Sequence, residues 1–368
     1  MRIAHTESSM HMGGQELRIL DQIQWLLNKG HSAWLLAHED SAIYKEAIHR
    51  GIPIHAVPFR GSAHPRALFE IVKFVTKKRI QLIDCHSSND AFTATASKLF
   101  GVPIVRSLHV YEYKTDLIHK YLWLYGSNHV IVVSQLIADM LVKSGFANRQ
   151  RISVIPTGID LNRFGPDVDG SSIRLEFNIG LNTKVISNIA MIRPDKEQKF
   201  LIRAVDRISD TCPDVRYLIV GSATKPEYLE DIKNEIAALR NRDKVILTGF
   251  RQDVEKVIAA SDVIVNTAFN EPMSQVIHQA FAMKKLVVAS DTSGHIETIR
   301  HCETGFMFRP MDTESLAETI HSALGNNTQQ IREQAYQMAL SKFGINGMME
   351  KTSNTYRTIL EAKQPLLQ

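Results

Sequence analysis

Two cations in the second half of the chain have the spacing to bind a diphosphate. Arg193 and Lys196 stand three residues apart, shortly after an apolar run that ends at Ala190. The guanidinium of arginine and the ammonium of lysine both bind phosphate oxygens, so the pair could balance the charge of a nucleotide diphosphate. An ordinary solvated loop accounts for the same residues, and both interpretations stay open for this segment alone.

A carboxylate at the head of a predicted helix is the second candidate. Glu271 precedes Pro272, and a proline at the start of a helix fixes the turn. Glu271 could accept hydrogen bonds from sugar hydroxyls, and Gln279 lies about 12 Å further along a helix, near the other end of an extended ligand. The first amides of the helix would point at a phosphate, and they belong to Met273, Ser274 and Gln275. Capping of the helix by Glu271 is the alternative.

The first half of the chain offers a glycine turn and a histidine. Gly13 and Gly14 lie between the first strand and the first helix, where their amides could approach an anion or form a plain tight turn. The pattern is not G-x-G-x-x-G, so a dinucleotide fingerprint is absent. His109 follows a predicted strand and could donate to a sugar hydroxyl or a leaving phosphate, or be structural. His86 is a weaker candidate.

The elements that carry these residues alternate between strand and helix. Apolar runs predict strands at 33–37, 54–57, 81–85, 103–107, 130–133, 152–155, 184–190, 215–220, 245–247, 262–266 and 286–289. Helical spacing predicts helices at 15–29, 44–50, 66–78, 90–100, 135–143, 198–209, 226–240, 254–260, 274–283, 313–324, 328–341 and 345–362. This alternation predicts an α/β fold with two doubly wound, mostly parallel sheets, whose ligands bind at the carboxyl ends of the strands.

The predicted domain boundary lies in a stretch rich in Gly, Pro and Asp at 163–172. It divides the chain into an N-terminal domain over 1–165 and a C-terminal domain over 166–344. The last segment, 345–368, is predicted to be an amphipathic helix that packs back on the N-terminal domain.

Composition excludes several protein classes. The 368 residues are 44% hydrophobic and 22% charged, which is typical of a globular protein and not of a disordered one. No run approaches the ~18 apolar residues of a membrane-spanning helix. The 3 cysteines lack C-x-x-C spacing, and the N-terminus lacks the apolar region of a signal peptide. We therefore expect a cytoplasmic protein without a disulfide framework or zinc ribbon.

Charge is divided unevenly between the two halves. Residues 1–165 carry 19 Lys and Arg against 13 Asp and Glu, whereas the rest carries 24 against 26. The basic excess of the first half fits anionic lipid or a phosphorylated substrate, and scattered solubilising charge explains it as well. It is too small to indicate nucleic-acid binding.

Six short motifs follow one another along nearly the whole chain. They are Gly13-Gly14-x-Glu16, Ile155-Pro156-Thr157-Gly158-Ile159-Asp160-x-x-x-Phe164, Arg193-Pro194-x-Lys196, Gly249-x-x-x-Asp253-Val254, Ser261-Asp262-Val263 and Glu271 at the head of its helix. None is specific alone, but the ordered set resembles the retaining GT-B glycosyltransferases of family 4. That family includes many lipopolysaccharide and capsule sugar transferases.

The resemblance implies two Rossmann-like domains that face each other across a cleft. It implies that Gly13 and Gly14 lie against the donor diphosphate and that His109 lies near the donor sugar. Arg193 and Lys196 would balance the leaving diphosphate, and Glu271 would hold the hydroxyls of the donor sugar. The donor-binding set would be completed by Met273, Ser274, Gln275 and Gln279.

The sequence departs from the family pattern at three positions. Gln279 stands where the family has a ribose-binding glutamate, so it can bond both hydroxyls but adds no charge. Met191 stands where many members have arginine, and Arg193 is the nearest replacement. Ser274 replaces a common glycine, and its backbone amide is unaffected.

The reaction implied by the resemblance is a retaining transfer without a cofactor or a metal ion. The co-substrate would be a UDP- or GDP-sugar, and the acceptor a glycan or glycolipid. Aromatic residues at 117–125 and the cations Lys73, Lys77, Lys78 and Arg79 favour a lipid-linked acceptor at the cytoplasmic face of an inner membrane. Core packing of Trp123 is the alternative.

Three other functions remain as alternatives to that interpretation. The same donor chemistry could serve a small soluble acceptor, or the chain could be an impaired homologue that acts as a binding partner. An NAD-dependent dehydrogenase is a weak third option, because no G-x-G-x-x-G follows a strand.

Overall fold

The computed structural model describes residues 1–59, 64–109, 121, 124–325 and 327–362. The chain divides into two compact units, Met1–Thr157 with Asn346–Gln368, and Gly158–Ile345. This division precedes the predicted boundary at 165, because Ile159 already belongs to the second unit. Its amide donates to Phe343 O at 2.8 Å and its carbonyl accepts from Ile345 N at 2.9 Å.

In the described part of the first unit, seven strands form one sheet in which every pairing is parallel. They are β1 (Arg2–Glu7), β2 (Ser32–Ala37), β3 (Ile54–Ala56), β4 (Leu82–Cys85), β5 (Ile104–Leu108), β6 (His129–Val132) and β7 (Ile152–Val154). Their order is β3-β2-β1-β4-β5-β6-β7. The strands read as apolar runs because both faces of the sheet are covered. The winding reverses between β1 and β4, which is where such sheets bind ligands.

Helices cover this sheet and bury its apolar side chains. Their bounds are Gly14–Asn28, Ala42–His49, Pro65–Lys78, Ser88–Ala94, Gln135–Lys143 and Ile345–Glu361, with 3-10 turns at Thr95–Phe100 and Arg149–Arg151. The predicted helix over 90–100 is therefore α-helical only as far as Ala94. Tyr356, on the helix Ile345–Glu361, is fully buried within the first unit.

The second unit repeats the same architecture with six described strands, all paired in parallel. They are β8 (Lys184–Ile189), β9 (Val215–Val220), β10 (Val245–Gly249), β11 (Val263–Asn266), β12 (Leu286–Ser290) and β13 (Phe306–Phe308). Their order is β10-β9-β8-β11-β12-β13, so the winding reverses between β8 and β11. β13 was not predicted, since three residues are too short a run to show alternation.

The helices of the second unit pack their apolar faces against this sheet. Their bounds are Ser171–Glu176, Gln198–Thr211, Pro226–Ala237, Val254–Ala260, Gln275–Ala282, Ser293–Ile296, Thr313–Leu324 and Gln329–Lys342, with 3-10 turns at Pro194–Lys196 and Arg242–Lys244. The stretch predicted as a linker is folded onto this unit. Arg163 pairs with Glu255 at 2.7 Å, and a Cβ on Gly170 would lie 2.2 Å from Ala260 N, so only glycine fits there.

The predicted α/β class with two doubly wound, Rossmann-like sheets is confirmed. Of the predicted aromatic segment 117–125, only Tyr121, Leu124 and Tyr125 fall among the described residues. Across the ranges that the structure describes, no helix combines the length and the apolar character that crossing a bilayer requires.

Candidate active site

The reversal of winding in the second unit brings two distant segments together. The loop after β8 carries Lys196, and the loop after β11 carries Glu271, at the carboxyl ends of adjacent strands. Lys196 Nζ lies 2.9 Å from Glu271 Oε1, and the two side chains are only 11% and 17% exposed. Two residues that were predicted from separate motifs therefore form one ion pair.

Asn266, the last residue of β11, holds the carboxylate of Glu271 in place. Its Nδ2 donates to Glu271 Oε2 at 3.1 Å and to Ser274 Oγ at 2.9 Å. Its Oδ1 accepts from the amide of Ala268 at 3.0 Å. Sequence reasoning missed Asn266, although a polar residue that ends an apolar strand at the carboxyl edge was an available signal.

The surroundings of Glu271 keep its carboxylate charged. Burial acts to raise the pKa of Glu271, but the charge of Lys196 and the hydrogen bonds from Lys196 and Asn266 together hold the pKa below its ordinary value. The site therefore presents an ionised acceptor for hydrogen bonds at neutral pH.

His295 is a further polar group of this region that the sequence did not reveal. It follows β12 and is buried, and burial lowers its pKa, so the ring is neutral. Nδ1 lies 2.9 Å from the carbonyl oxygen of Ser290, which can only accept, so Nδ1 carries the hydrogen. Nε2 then carries a lone pair, and it has no partner in the part of the chain that the structure describes.

The helix after Glu271 begins later than predicted. It runs over Gln275–Ala282, so Glu271 and Pro272 precede it, and the expectation that Pro272 opens the helix is wrong. Met273 also precedes the helix. The hydroxyl of Ser274 bonds Asn266 and makes no capping bond to the helix. Gln279 is half-buried on this helix. Because Glu271 lies outside the helix, the helical rise that predicted about 12 Å between Glu271 and Gln279 does not apply.

Arg193 lies on the same loop as Lys196 but has a different partner. Its Nε lies 2.8 Å from Asp195 Oδ1, and the side chain is 38% exposed. The loop itself is fixed, because Gln198 Nε2 donates to Met191 O at 2.9 Å. Arg193 is thus available at the surface of the loop, whereas Lys196 is enclosed with Glu271.

The second unit also contains an Asp-x-Asp sequence, Asp167-Val168-Asp169, a spacing that can hold a divalent cation. Asp169 is engaged locally, since its Oδ1 accepts from the amide of Ser171 at 2.9 Å and its Oδ2 from the Ser171 hydroxyl. Both aspartates are exposed. The Asp169 carboxylate is thus engaged by Ser171, the first residue of the helix Ser171–Glu176.

In the first unit, the predicted glycine turn already holds a carboxylate. Gly13 precedes the helix Gly14–Asn28, and its amide donates to Glu16 Oε2 at 2.8 Å. Gly14 is exposed at the first position of the helix. A phosphate could bond the Gly13 amide only after Glu16 moved. Glu7, buried at the end of β1, lies close by, because Gln15 Nε2 bonds its Oε2 at 2.6 Å.

His109 lies directly after β5 and is linked to two other histidines. Its Nε2 lies 3.2 Å from His86 Nδ1, and His86 Nε2 lies 3.1 Å from His5 Nδ1. Burial lowers the pKa of His5 and of His86 to about 3, and that of His109 well below its ordinary value. His109 is therefore a neutral hydrogen-bond donor at pH 7 and not an imidazolium acid. His5 was not predicted, because it lies inside a strand.

Comparison with known families assigns each half of the chain. Residues 12–163 match the family model described as Glycosyltransferase Family 4. Residues 171–339 match the model described as Glycosyl transferases group 1. Together the two models span both units.

Several relatives are glycosyltransferases by name. The chain is 24% identical over 271 residues to the UDP-Gal:alpha-D-GlcNAc-diphosphoundecaprenol alpha-1,3-galactosyltransferase of Escherichia coli, covering 69% of each protein. It is 25% identical over 302 residues to an uncharacterized glycosyltransferase of Methanocaldococcus jannaschii, covering 77% of this chain and 76% of that one.

Solved structures share the whole fold. A glycosyltransferase from Rickettsia africae superposes with a TM-score of 0.90 at 22% identity, covering 98% of both chains. HepE of Anabaena in complex with UDP-glucose superposes with a TM-score of 0.86 at 23% identity, covering 97% of this chain and 100% of that one. With both halves matched by family models and the full fold shared, the chain belongs to the GT-B glycosyltransferases of family 4.

Proposed function

We propose that the protein is a retaining glycosyltransferase that uses a UDP- or GDP-sugar. The acceptor would be a lipid-linked or polysaccharide glycan of the bacterial cell surface, as in lipopolysaccharide or capsule synthesis. The observation that carries this proposal is the enclosed Lys196–Glu271 pair beside the start of the helix Gln275–Ala282. It combines a cation for phosphate, a carboxylate for sugar hydroxyls and the positive end of a helix.

In this proposal the donor binds to the second unit. Glu271 uses one of the three N–H donors of Lys196, so two remain for phosphate oxygens, and Arg193 adds a second cation. The amide of Gln275 and the residues before it contribute the helix N-terminus. Gln279, on the same helix, is the proposed partner of the ribose hydroxyls.

The transfer proceeds by charge stabilisation, without a metal ion. The bond between the anomeric carbon and the diphosphate breaks, and the negative charge that builds on the diphosphate is held by Lys196, Arg193 and the helix N-terminus. The acceptor hydroxyl attacks from the face that the diphosphate leaves, and its proton passes to a phosphate oxygen. The engagement of the Asp169 carboxylate by Ser171 supports a transfer in which the Asp-x-Asp sequence holds no metal ion. An unchanged rate in EDTA would test this.

The first unit is proposed to bind the acceptor, with His109, Gly13 and Gly14 near the donor sugar. Phe69 is 65% exposed on the helix Pro65–Lys78, which also carries the exposed Lys73, Lys77 and Lys78. Exposed aromatic and basic side chains on one helix suit the cytoplasmic surface of an anionic membrane. The named acceptor of the Escherichia coli relative is itself linked to undecaprenol, which supports a lipid-linked acceptor here.

A thermal-shift screen of UDP, GDP, ADP and CMP tests the donor assignment. A nucleotide that binds the folded protein at 100 times its Kd stabilises it by about 2.7 kcal/mol. We expect UDP or GDP to raise the Tm of the wild type, and a much smaller rise in Lys196→Met. If none of the four nucleotides raises the Tm, the donor site is assigned wrongly.

Two departures from the family pattern favour an impaired homologue as the second candidate. Gln279 removes the ribose-binding carboxylate, and Met191, 42% exposed, stands where arginine is common. Hydrolysis of a UDP- or GDP-sugar without acceptor separates the two: an active enzyme hydrolyses the donor slowly and loses this activity in Glu271→Ala. A small soluble acceptor would instead be indicated if the protein failed to bind anionic vesicles at low salt.

A further inference from the structure

Three histidines of the first unit form a hydrogen-bonded line that ends at His109. The ring centres of His5 and His86 are 5.4 Å apart with planes tilted by 16°, and those of His86 and His109 are 5.5 Å apart with a tilt of 24°. Each separation equals the nitrogen–nitrogen distance, 3.1 Å or 3.2 Å, plus the two radii from ring centre to nitrogen. The rings therefore meet edge to edge and nearly coplanar, which is the geometry of in-line N–H···N hydrogen bonds.

The sheet fixes the inner end of this line. His5 on β1 pairs in register with Asp84 on β4, so both side chains stand on one face, and both are fully buried. The Asp84 carboxylate accepts from Ser107 Oγ at 2.8 Å and from the hydroxyl of Tyr356. Its Oδ2 flanks the first hydrogen bond, 3.9 Å from His5 Nδ1 and 3.7 Å from His86 Nε2.

A neutral imidazole has one donor and one acceptor nitrogen, so the line can run in only two directions. If His5 donates from Nδ1, then His86 donates from Nδ1 to His109 Nε2, and His109 keeps its own hydrogen on Nδ1. In the reverse direction, His5 Nε2 carries a hydrogen. Asp84 lies almost equally close to both nitrogens and favours neither direction.

The orphaned nitrogen of His5 decides between the two directions. His5 Nε2 is buried and has no partner among the residues that the structure describes. In the first direction it is an unused lone pair, whereas in the reverse it is a buried N–H without an acceptor. Buried N–H groups without a partner are the rarer and costlier of the two. The first direction is therefore the stable one.

We propose that His5 and His86 are positioning residues that hold His109 in one orientation and in its Nδ1–H tautomer. His109 then offers a fixed, neutral N–H donor to a hydroxyl or phosphate oxygen of the bound substrate. This proposal rests on the role of His109 in the proposed sugar transfer. It adds two residues, one on β1 and one after β4, that act on the substrate only through His109.

A metal ion is the competing explanation for the same residues. Ligand atoms of His5, Asp84 and His86 all lie within 4.8 Å of one another. The two histidine nitrogens, however, point at each other in line at 3.1 Å. Two zinc–nitrogen bonds of about 2.0–2.1 Å do not fit in line within that distance. The resting geometry is that of a hydrogen bond.

Nitrogen-15 NMR of the full chain labelled at histidine tests the tautomer directly. The signals of His109 are assigned by their loss in His109→Gln. We expect a hydrogen on Nδ1 and a bare Nε2 at pH 7. A hydrogen on His109 Nε2, or stoichiometric Zn²⁺ binding by the labelled protein, would overturn the proposal. The measurement uses no donor sugar, so it stands whether or not the transferase proposal holds.

Two variants of His86 separate hydrogen bonding from packing. The amide of His86→Gln can accept from His5 and donate to His109, whereas His86→Phe fills the space but can do neither. We expect His86→Gln to keep the Nδ1–H tautomer and most of the turnover, and His86→Phe to lose the tautomer with kcat reduced by about tenfold or more. Equal losses in the two variants, or unchanged His109 signals in His86→Phe, would contradict the proposal.

Control variants guard against a general loss of structure. His129 lies on β6 and bonds Ser153 Oγ at 2.8 Å, outside the line, so His129→Gln should leave the His109 signals unchanged. If His86→Phe does not fold, His5→Phe removes the first donor of the line and should shift His109 in the same way. No shift in a folded His5→Phe would count against the proposal.

Discussion

Gly294 packs directly against the backbone of Glu271. A Cβ on Gly294 would lie 1.6 Å from the carbonyl oxygen of Glu271, and backbone cannot yield as a flexible side chain does. We expect Gly294→Ala to displace the Glu271 loop, to cost about 1–3 kcal/mol of stability and to weaken nucleotide-sugar binding. Gly347→Ala is the matched control, since nothing lies within 4 Å of its Cβ. Isothermal titration calorimetry with a UDP- or GDP-sugar measures the affinity of each variant. Equal affinities of Gly294→Ala and Gly347→Ala would contradict the prediction.

Removing Lys196 should affect both stability and turnover. Lys196→Met leaves the Glu271 carboxylate enclosed without its cation, which should cost about 3 kcal/mol, and should slow transfer about 10²–10³-fold. Lys199→Met is the control, because its partner Asp231 is 58% exposed at 2.9 Å and such pairs contribute under about 1 kcal/mol. Urea unfolding and initial rates measure the two effects.

The double variant Lys196→Met with Glu271→Gln separates the two roles of the pair. It removes the unpaired charge, so stability should recover relative to Lys196→Met while the rate stays low. Recovery of the rate as well would mean that Lys196 does not act on the departing diphosphate.

The buried histidines should make stability depend on pH. Burial lowers the pKa of His5 and of His86 to about 3, below the ordinary value near 6.5, so the unfolded chain binds protons that the folded chain does not. Their contribution is therefore full above pH 6.5 and is lost as the pH falls, by about 1.4 kcal/mol per pH unit for each histidine. His86→Gln should flatten this dependence between pH 6 and pH 4, as measured by urea unfolding. An unchanged slope would show that His86 is not held neutral.

Tyr356 ties the C-terminal helix to the sheet of the first unit. Its hydroxyl donates to Asp84 and accepts from Gln22, and all three groups are buried. Tyr356→Phe should cost about 1–3 kcal/mol, because Asp84 and Gln22 each lose a partner. Tyr125→Phe is the control, since Tyr125 is 62% exposed and should change Tm little. Differential scanning calorimetry compares the Tm of the two variants with that of the wild type.

Most of the fold could be predicted from periodicity. Long apolar strands and amphipathic helices, such as Val215–Val220 and Val254–Ala260, begin and end where the pattern indicates. The prediction failed where an element is very short, or where the structure of a segment depends on its tertiary packing. Phe306–Phe308 is too brief to show alternation, and the packing of Gly170 against Ala260 turns a polar stretch that reads as a linker into part of a unit.

The charged residues of the candidate site could be predicted from the sequence, but the contacts between them could not. Residue types and strand ends indicate Lys196 and Glu271, but their contact depends on which strands are neighbours at the switch point. Asn266 bonds Glu271 and Ser274, and local sequence spacing does not indicate either contact. His5 was not predicted because it lies inside a strand. Its position beside Asp84 is apparent only when the register of β1 and β4 is known.

The first unit is discontinuous, since it takes Met1–Thr157 from the beginning of the chain and Asn346 onward from its end. Synthesis from the N-terminus therefore completes the second unit before the helix that carries Tyr356 has left the ribosome. Until that helix arrives, Asp84 and Gln22 are missing the hydroxyl that joins them. The order of synthesis therefore completes the unit that carries Lys196 and Glu271 before the unit that carries His109.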